Sequence, residues 1–114
     1  MLRRAALIAL LTAVVVFGAD VSGKWQFQVE TTAGSGTPTF TLKQSGEKLT
    51  GKYSGALGDA EVAGTVTGNA VTIQFEASGM NVVYKGELQG ADTIKGTVDL
   101  GGQAQGTFTG TRAK

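Results

Sequence analysis

The sequence predicts an all-β domain: an eight-stranded antiparallel up-and-down β-barrel, preceded by a cleaved signal peptide. Three observations lead there. After residue 20, apolar and polar residues alternate with period two almost without a break. Short turn signals rich in Gly, Asn and Asp separate the alternating runs. No segment in that region carries the apolar spacing of a helix.

The chain starts with "MLRRAALIALLTAVVVFGA". Arg3 and Arg4 give it a positive start, and Ala5 to Phe17 form an almost unbroken apolar run of thirteen residues. A bilayer-spanning helix needs about 20 apolar residues. The shorter run, with small Gly18 and Ala19 behind it, matches a secretory signal cut after one of those two residues. No cysteine follows it to carry a lipid anchor. The expected organisation is therefore a signal peptide over 1–19 and one barrel domain over 20–114. The expected location is the periplasm or the cell exterior.

Without the leader's two arginines, eight basic residues remain against nine acidic ones, a net charge of −1. Such a domain has no electrostatic footprint for nucleic acid or for an anionic membrane, so neither is an expected partner. Cysteine is absent, so the fold has no disulfides and depends on its sheet and core.

Eight runs alternate. Trp25, Phe27 and Val29 start the first, and Phe40 and Leu42 the second. Leu49, Gly51 and Tyr53 mark the third, and Val62, Gly64 and Val66 the fourth. Val71, Ile73 and Phe75 follow, then Val82, Tyr84, Gly86 and Leu88. Ile94, Gly96, Val98 and Leu100 form the seventh, and Ala104, Gly106, Phe108 and Gly110 the eighth. The longest connection is "TAGSGTP" (32–38), which ends in the single proline. Pro38 cannot donate a ladder hydrogen bond and is placed at the start of a strand. Short links imply antiparallel neighbours, and closing the sheet removes both edges. A two-sheet sandwich is the alternative that the same alternation permits.

Glycine recurs midway along the apolar face, as in "LTGKY", "VAGTV", "YKGEL", "IKGTV" and "AQGTF". Each costs about 0.5–1 kcal/mol of strand stability relative to alanine, so a geometric gain must offset it. Sharp coiling and room for a neighbour's ring supply that gain. The other reading is that the glycines hollow out a ligand cavity. An empty pocket of about 300 Å³ would cost about 7 kcal/mol at ~24 cal/mol per Å³. Any such cavity is thus expected to be small or shallow.

Histidine and cysteine are both missing, and the expected interior has no charged residue. This removes the usual catalytic bases, thiolates and transition-metal ligands. Asp59 with Glu61, and Asp92, are expected in solvated turns. "GSGTPT" lacks the lysine and helix of a phosphate loop. The expectation is a protein that is not an enzyme and has no metal or cofactor.

At "SGKW" (22–25) the sequence resembles the calycins, the superfamily of lipocalins and avidins, which have G-x-W at the start of the first strand. The resemblance implies that Trp25 closes one barrel end against a basic side chain, Arg112 or Lys114. "LTGKYSGALGDAE" (49–61), "VTIQF", "VVYKGEL" and "GTFTGTR" (106–112) are similar to avidin strands in order and spacing. Tyr53 matches an avidin tyrosine that hydrogen-bonds biotin. The biotin cage would fall near Phe75 and Val98, and its polar groups near Phe27 and Gly106, so biotin is not the expected ligand. The repeated L-x-G-x-Y strands also resemble small exported bacterial proteins of unassigned function.

Two functions stay open at this point. One is binding of a small apolar ligand in or at the mouth of the barrel, between Trp25, Phe40, Tyr53, Phe75, Tyr84 and Phe108, although each of these could equally be core filling. The other is a protein-interaction, accessory or inhibitor role through residues 31–38 and the neighbouring turns.

Overall fold

The structure is a computed structural model that describes residues 20–113. The signal peptide expected over 1–19 and the terminal Lys114 lie outside the described residues. The strands in chain order are β1 (Gly23–Thr31), β2 (Gly34–Gly36), β3 (Thr39–Ser45), β4 (Lys48–Gly55) and β5 (Gly58–Thr67). They continue with β6 (Ala70–Ala77), β7 (Met80–Leu88), β8 (Thr93–Leu100) and β9 (Ala104–Arg112). Successive strands from β3 onward pair antiparallel, and β1 pairs with both β3 and β9. The sheet therefore closes into a meander barrel.

The strand count is one higher than expected, and β2 is the reason. Val29 faces Gly36 and Trp25 faces Phe40 in a single continuous register. Between these pairs the Phe27 N–H donates to the Pro38 carbonyl at 2.9 Å. Pro38 has no N–H with which to return the bond. Thus β2 and β3 lie along one edge of β1, as two parts of one barrel position interrupted at Thr37–Pro38. The segment 32–38 is not the plain connection that the sequence suggested. Gly34, Ser35 and Gly36 carry no alternation of apolar side chains, so the pairing left no sequence signal.

The inward parity matches the alternation. Trp25, Phe27 and Phe40 are fully buried, and so, nearly, are Leu49, Tyr53, Val62, Val66, Ile73, Phe75 and Tyr84 on β4 to β7. Burying one such side chain contributes about 1.5–3 kcal/mol. The outward positions of the same strands carry Lys, Glu, Gln and Thr. Tight hairpins join the strands; Ser78 and Gly79, at φ 52° and 77°, form the pair of positive angles that a type I′ turn requires.

The inward glycines mark where the wall leaves no room. A Cβ on Gly51, Gly64, Gly96 or Gly106 would overlap a carbonyl oxygen of the adjacent strand, from Thr41, Thr72, Lys85 and Glu30 respectively. At Gly110 it would strike the Phe27 ring, and at Gly86 it would come within 2.9 Å of the Phe108 ring. The glycines let strands approach and rings lie flat on the wall; they do not hollow the lumen.

Candidate functional site

The register gives the barrel two unlike ends. β1 runs from Trp25 at one end, the base, to Thr31 at the other, the mouth. The base also holds the start of the described chain and the 89–92 connection. The mouth holds the hairpins at 31–34, 55–58, 77–80 and 100–104.

The base is sealed. The Trp25 indole N–H donates to the Val21 carbonyl at 2.9 Å. The Arg112 guanidinium lies 4.6 Å from the centroid of the Trp25 ring. Its Nη1 donates to the Ser22 carbonyl at 2.7 Å, and its Nη2 to the carbonyls of Asp20 and Ala91, both at 2.9 Å. Its Nε meets Asp92 Oδ1 at 3.1 Å. Four of the five guanidinium N–H groups are thus used. Asp92, expected as a turn former, binds Arg112 as well. The Asp20 carboxyl is held below the usual carboxylate range, chiefly by the Ser22 backbone N–H that donates to it.

Above the base the lumen is filled with rings. Phe27 stacks on Phe108 at 4.9 Å and tilts against Phe40 at 4.5 Å. Tyr53 stacks on Phe75 at 4.4 Å. Tyr84 meets Phe27, Phe40, Phe75 and Phe108 at 5.0–6.2 Å. Five of the six candidate ligand residues, Phe40, Tyr53, Phe75, Tyr84 and Phe108, therefore belong to one cluster, which Phe27 joins and in which Phe40 and Tyr84 each meet four other rings. Trp25 makes no ring contact with that cluster and sits at the base.

At the mouth a pocket of about 170 Å³ remains. Val29 and Thr31 of β1, the segment 33–38, Tyr53, Ala56, Leu57, Tyr84 and Leu100 line it. Of the six candidates only Tyr53 and Tyr84 reach it. The opening exists because β2 pairs with β1 alone, while β4 turns away into β5 at Gly55–Gly58. Gly36 lies directly opposite inward-facing Val29, so its missing side chain is missing from this pocket. A Cβ there would meet nothing within 4 Å. Sequence reasoning placed Val29 and Leu100 on inward strand faces and Gly36 in the 31–38 interaction segment, but assigned none of them, nor Leu57, to the ligand site; the signal was the length and glycine content of the 32–38 segment.

Two buried tyrosines line the pocket. Tyr53 Oη accepts the Leu57 N–H at 3.3 Å. Tyr84 is 3 % exposed, and its hydroxyl has no partner among the described residues. Burial, with Tyr53 alongside, pushes the Tyr84 phenol above its ordinary value, so it stays protonated.

Two larger hollows, of about 490 and 430 Å³, lie on the convex outer wall. Solvated Lys85 and Asp99 line the first, and Lys52, Asp59 and Glu61 the second. They are surface grooves between outward side chains. Asp59 and Glu61 sit on β5, opposite Ser54 and Lys52, and not in a turn as the sequence suggested. No cluster of three or more potential metal ligands occurs among the described residues.

No protein-family model and no curated protein matches the chain. Solved structures do. The fold is that of a small closed β-barrel. The chain superposes on a redesigned beta barrel, b11L5F_LGL, with a TM-score of 0.69 at 17% identity, covering 82% of this chain and 92% of that one. A second redesigned beta barrel, mFAP1, solved bound to DFHBI, gives 0.66 at 13% identity, covering 81% and 94%. A fluorescence-activating beta barrel designed de novo gives 0.63 at 13% identity, covering 87% and 99%. Identities this low bear on the fold alone.

Proposed function

We propose that this chain is an exported, non-enzymatic barrel of calycin type that holds one small apolar ligand in its mouth pocket. The observation that carries the reading is the contrast within one lumen: rings and aliphatic side chains pack its core, and about 170 Å³ is left at the mouth between β2 and the β4–β5 hairpin. An apolar cavity of about 150 Å³ holds benzene, so the space suits a single ring. Ligand sites prefer barrel mouths, and mFAP1, a barrel of similar shape, is bound to DFHBI. Catalysis finds no support here. The lining has no charged side chain and no acid–base pair, only two phenols. Export rests on the leader sequence alone.

Gly36→Val tests the reading, because it places a side chain in open space on a backbone that accepts one. The wild-type protein is expected to bind toluene saturably, with backbone amide shifts concentrated at Thr31, Gly34 and Leu57. The variant is expected to lose those shifts while keeping its unfolding midpoint. Shifts that persist in the variant, or none in the wild type, would remove the mouth as a ligand site.

One observation favours a second reading, a protein-interaction role through residues 31–38. Pairing alternates along β1, so the main-chain groups of Ser35 point away from it, and no strand covers that edge among the described residues. A partner strand could add there. Ser35→Pro would abolish such binding and leave ring binding intact.

A further inference from the structure

Tyr84 differs from every other buried polar side chain described. The Trp25 indole is satisfied by Val21 and the Tyr53 oxygen by Leu57, whereas the Tyr84 hydroxyl has no partner among the described residues. Its ring is fixed on several sides by Phe27, Phe40, Phe75 and Phe108, so the hydroxyl cannot swing away to find one. It lines the mouth pocket. A phenylalanine in the same place would fill the core equally well and avoid the cost of an unsatisfied buried hydroxyl.

We propose that the ligand of the mouth pocket is a small neutral ring compound carrying a hydrogen-bond acceptor, and that the Tyr84 hydroxyl donates to that acceptor. The inference rests on the ligand-binding reading above and specifies its chemistry. Neutrality follows from the lining, which contains no charge to compensate a carboxylate or ammonium taken out of water. Burial keeps the phenol protonated, so the unpartnered hydroxyl has a hydrogen to donate. Tyr53 is already engaged, its oxygen accepting the Leu57 N–H. The acceptor therefore enters first, toward Tyr84. The ring stays between Pro38 and Leu57 at the opening.

Two isosteric probes decide the matter. Acetophenone and α-methylstyrene have nearly the same shape, but only the first has an acceptor oxygen. Titration of the wild-type protein followed by amide shifts is expected to show acetophenone binding about tenfold tighter, the equivalent of one modest hydrogen bond. In Tyr84→Phe that preference is expected to vanish, with α-methylstyrene bound as well as before. Benzoate is expected not to compete in either protein. Equal affinity of the wild type for the two probes, or a preference that survives Tyr84→Phe, overturns the acceptor assignment, and competition by benzoate overturns the neutrality of the ligand; each leaves ring binding standing. Failure of both probes to bind the wild type overturns the ligand-binding reading, and this one with it.

Discussion

The two ends of the barrel use aromatic residues in opposite ways. At the base, Trp25 has its indole N–H paired and a cation over its face, and Arg112 ties four pieces of main chain or side chain to that spot. At the mouth, Tyr84 is nearly as deeply buried, yet its hydroxyl is left without a partner among the described residues, beside open space. A satisfied polar group tells of stability. An unsatisfied one, kept where an apolar side chain would serve, is the observation on which the proposed ligand rests.

The comparison can be attacked from its strong side first. Trp25→Ala removes the plug and should cost about 3–5 kcal/mol in denaturant unfolding. A loss below about 1 kcal/mol would mean that the base is not the structural end. Arg112→Ala should cost less, about 1.5–3 kcal/mol, since its partners are main-chain carbonyls that water can partly reach. Arg112→Lys should recover little of it, because an ammonium cannot reproduce the fork.

Tyr84→Phe should have the smallest effect on stability at neutral pH, within about 0.5 kcal/mol or slightly stabilising, because no hydrogen bond is lost. A marked loss would reveal a partner for the hydroxyl and dissolve the contrast. Alkaline conditions sharpen the test. Burial raises the folded-state Tyr84 pKa, with Tyr53 the titratable group that faces it. Its contribution is therefore complete below about pH 10 and declines above that, as the unfolded chain releases a proton that the folded one retains. The wild type should lose stability faster than Tyr84→Phe between about pH 10 and 11.5, read as the divergence of their unfolding midpoints.

Much of the barrel was legible in the sequence. A period-two pattern assigns each side chain to the inside or the outside, and Trp25 to Val29 or Val71 to Phe75 could be read that way without ambiguity. The pairing of Gly34–Gly36 with β1 could not, since it is made by main chain, and two of its three residues have no side chain to show a face. Nor could the pattern separate Phe40 from Tyr84. Both are inward, and parity reports burial without reporting what a polar atom at the end of the ring will meet. The acceptors of Arg112 were hidden for a similar reason: three of them are carbonyls, which every residue has.

The seam between β1 and β9 joins Trp25 to Arg112 across nearly the whole domain. Pairing of β9 with β1 is thus the step that closes the sheet. Without that pairing the sheet is an open ribbon with two bare margins, and making it carries the loop-closure entropy of joining segments far apart in the chain. A chain without β9 would not be a slightly weaker barrel; it would be an unclosed sheet prone to pairing with its own kind.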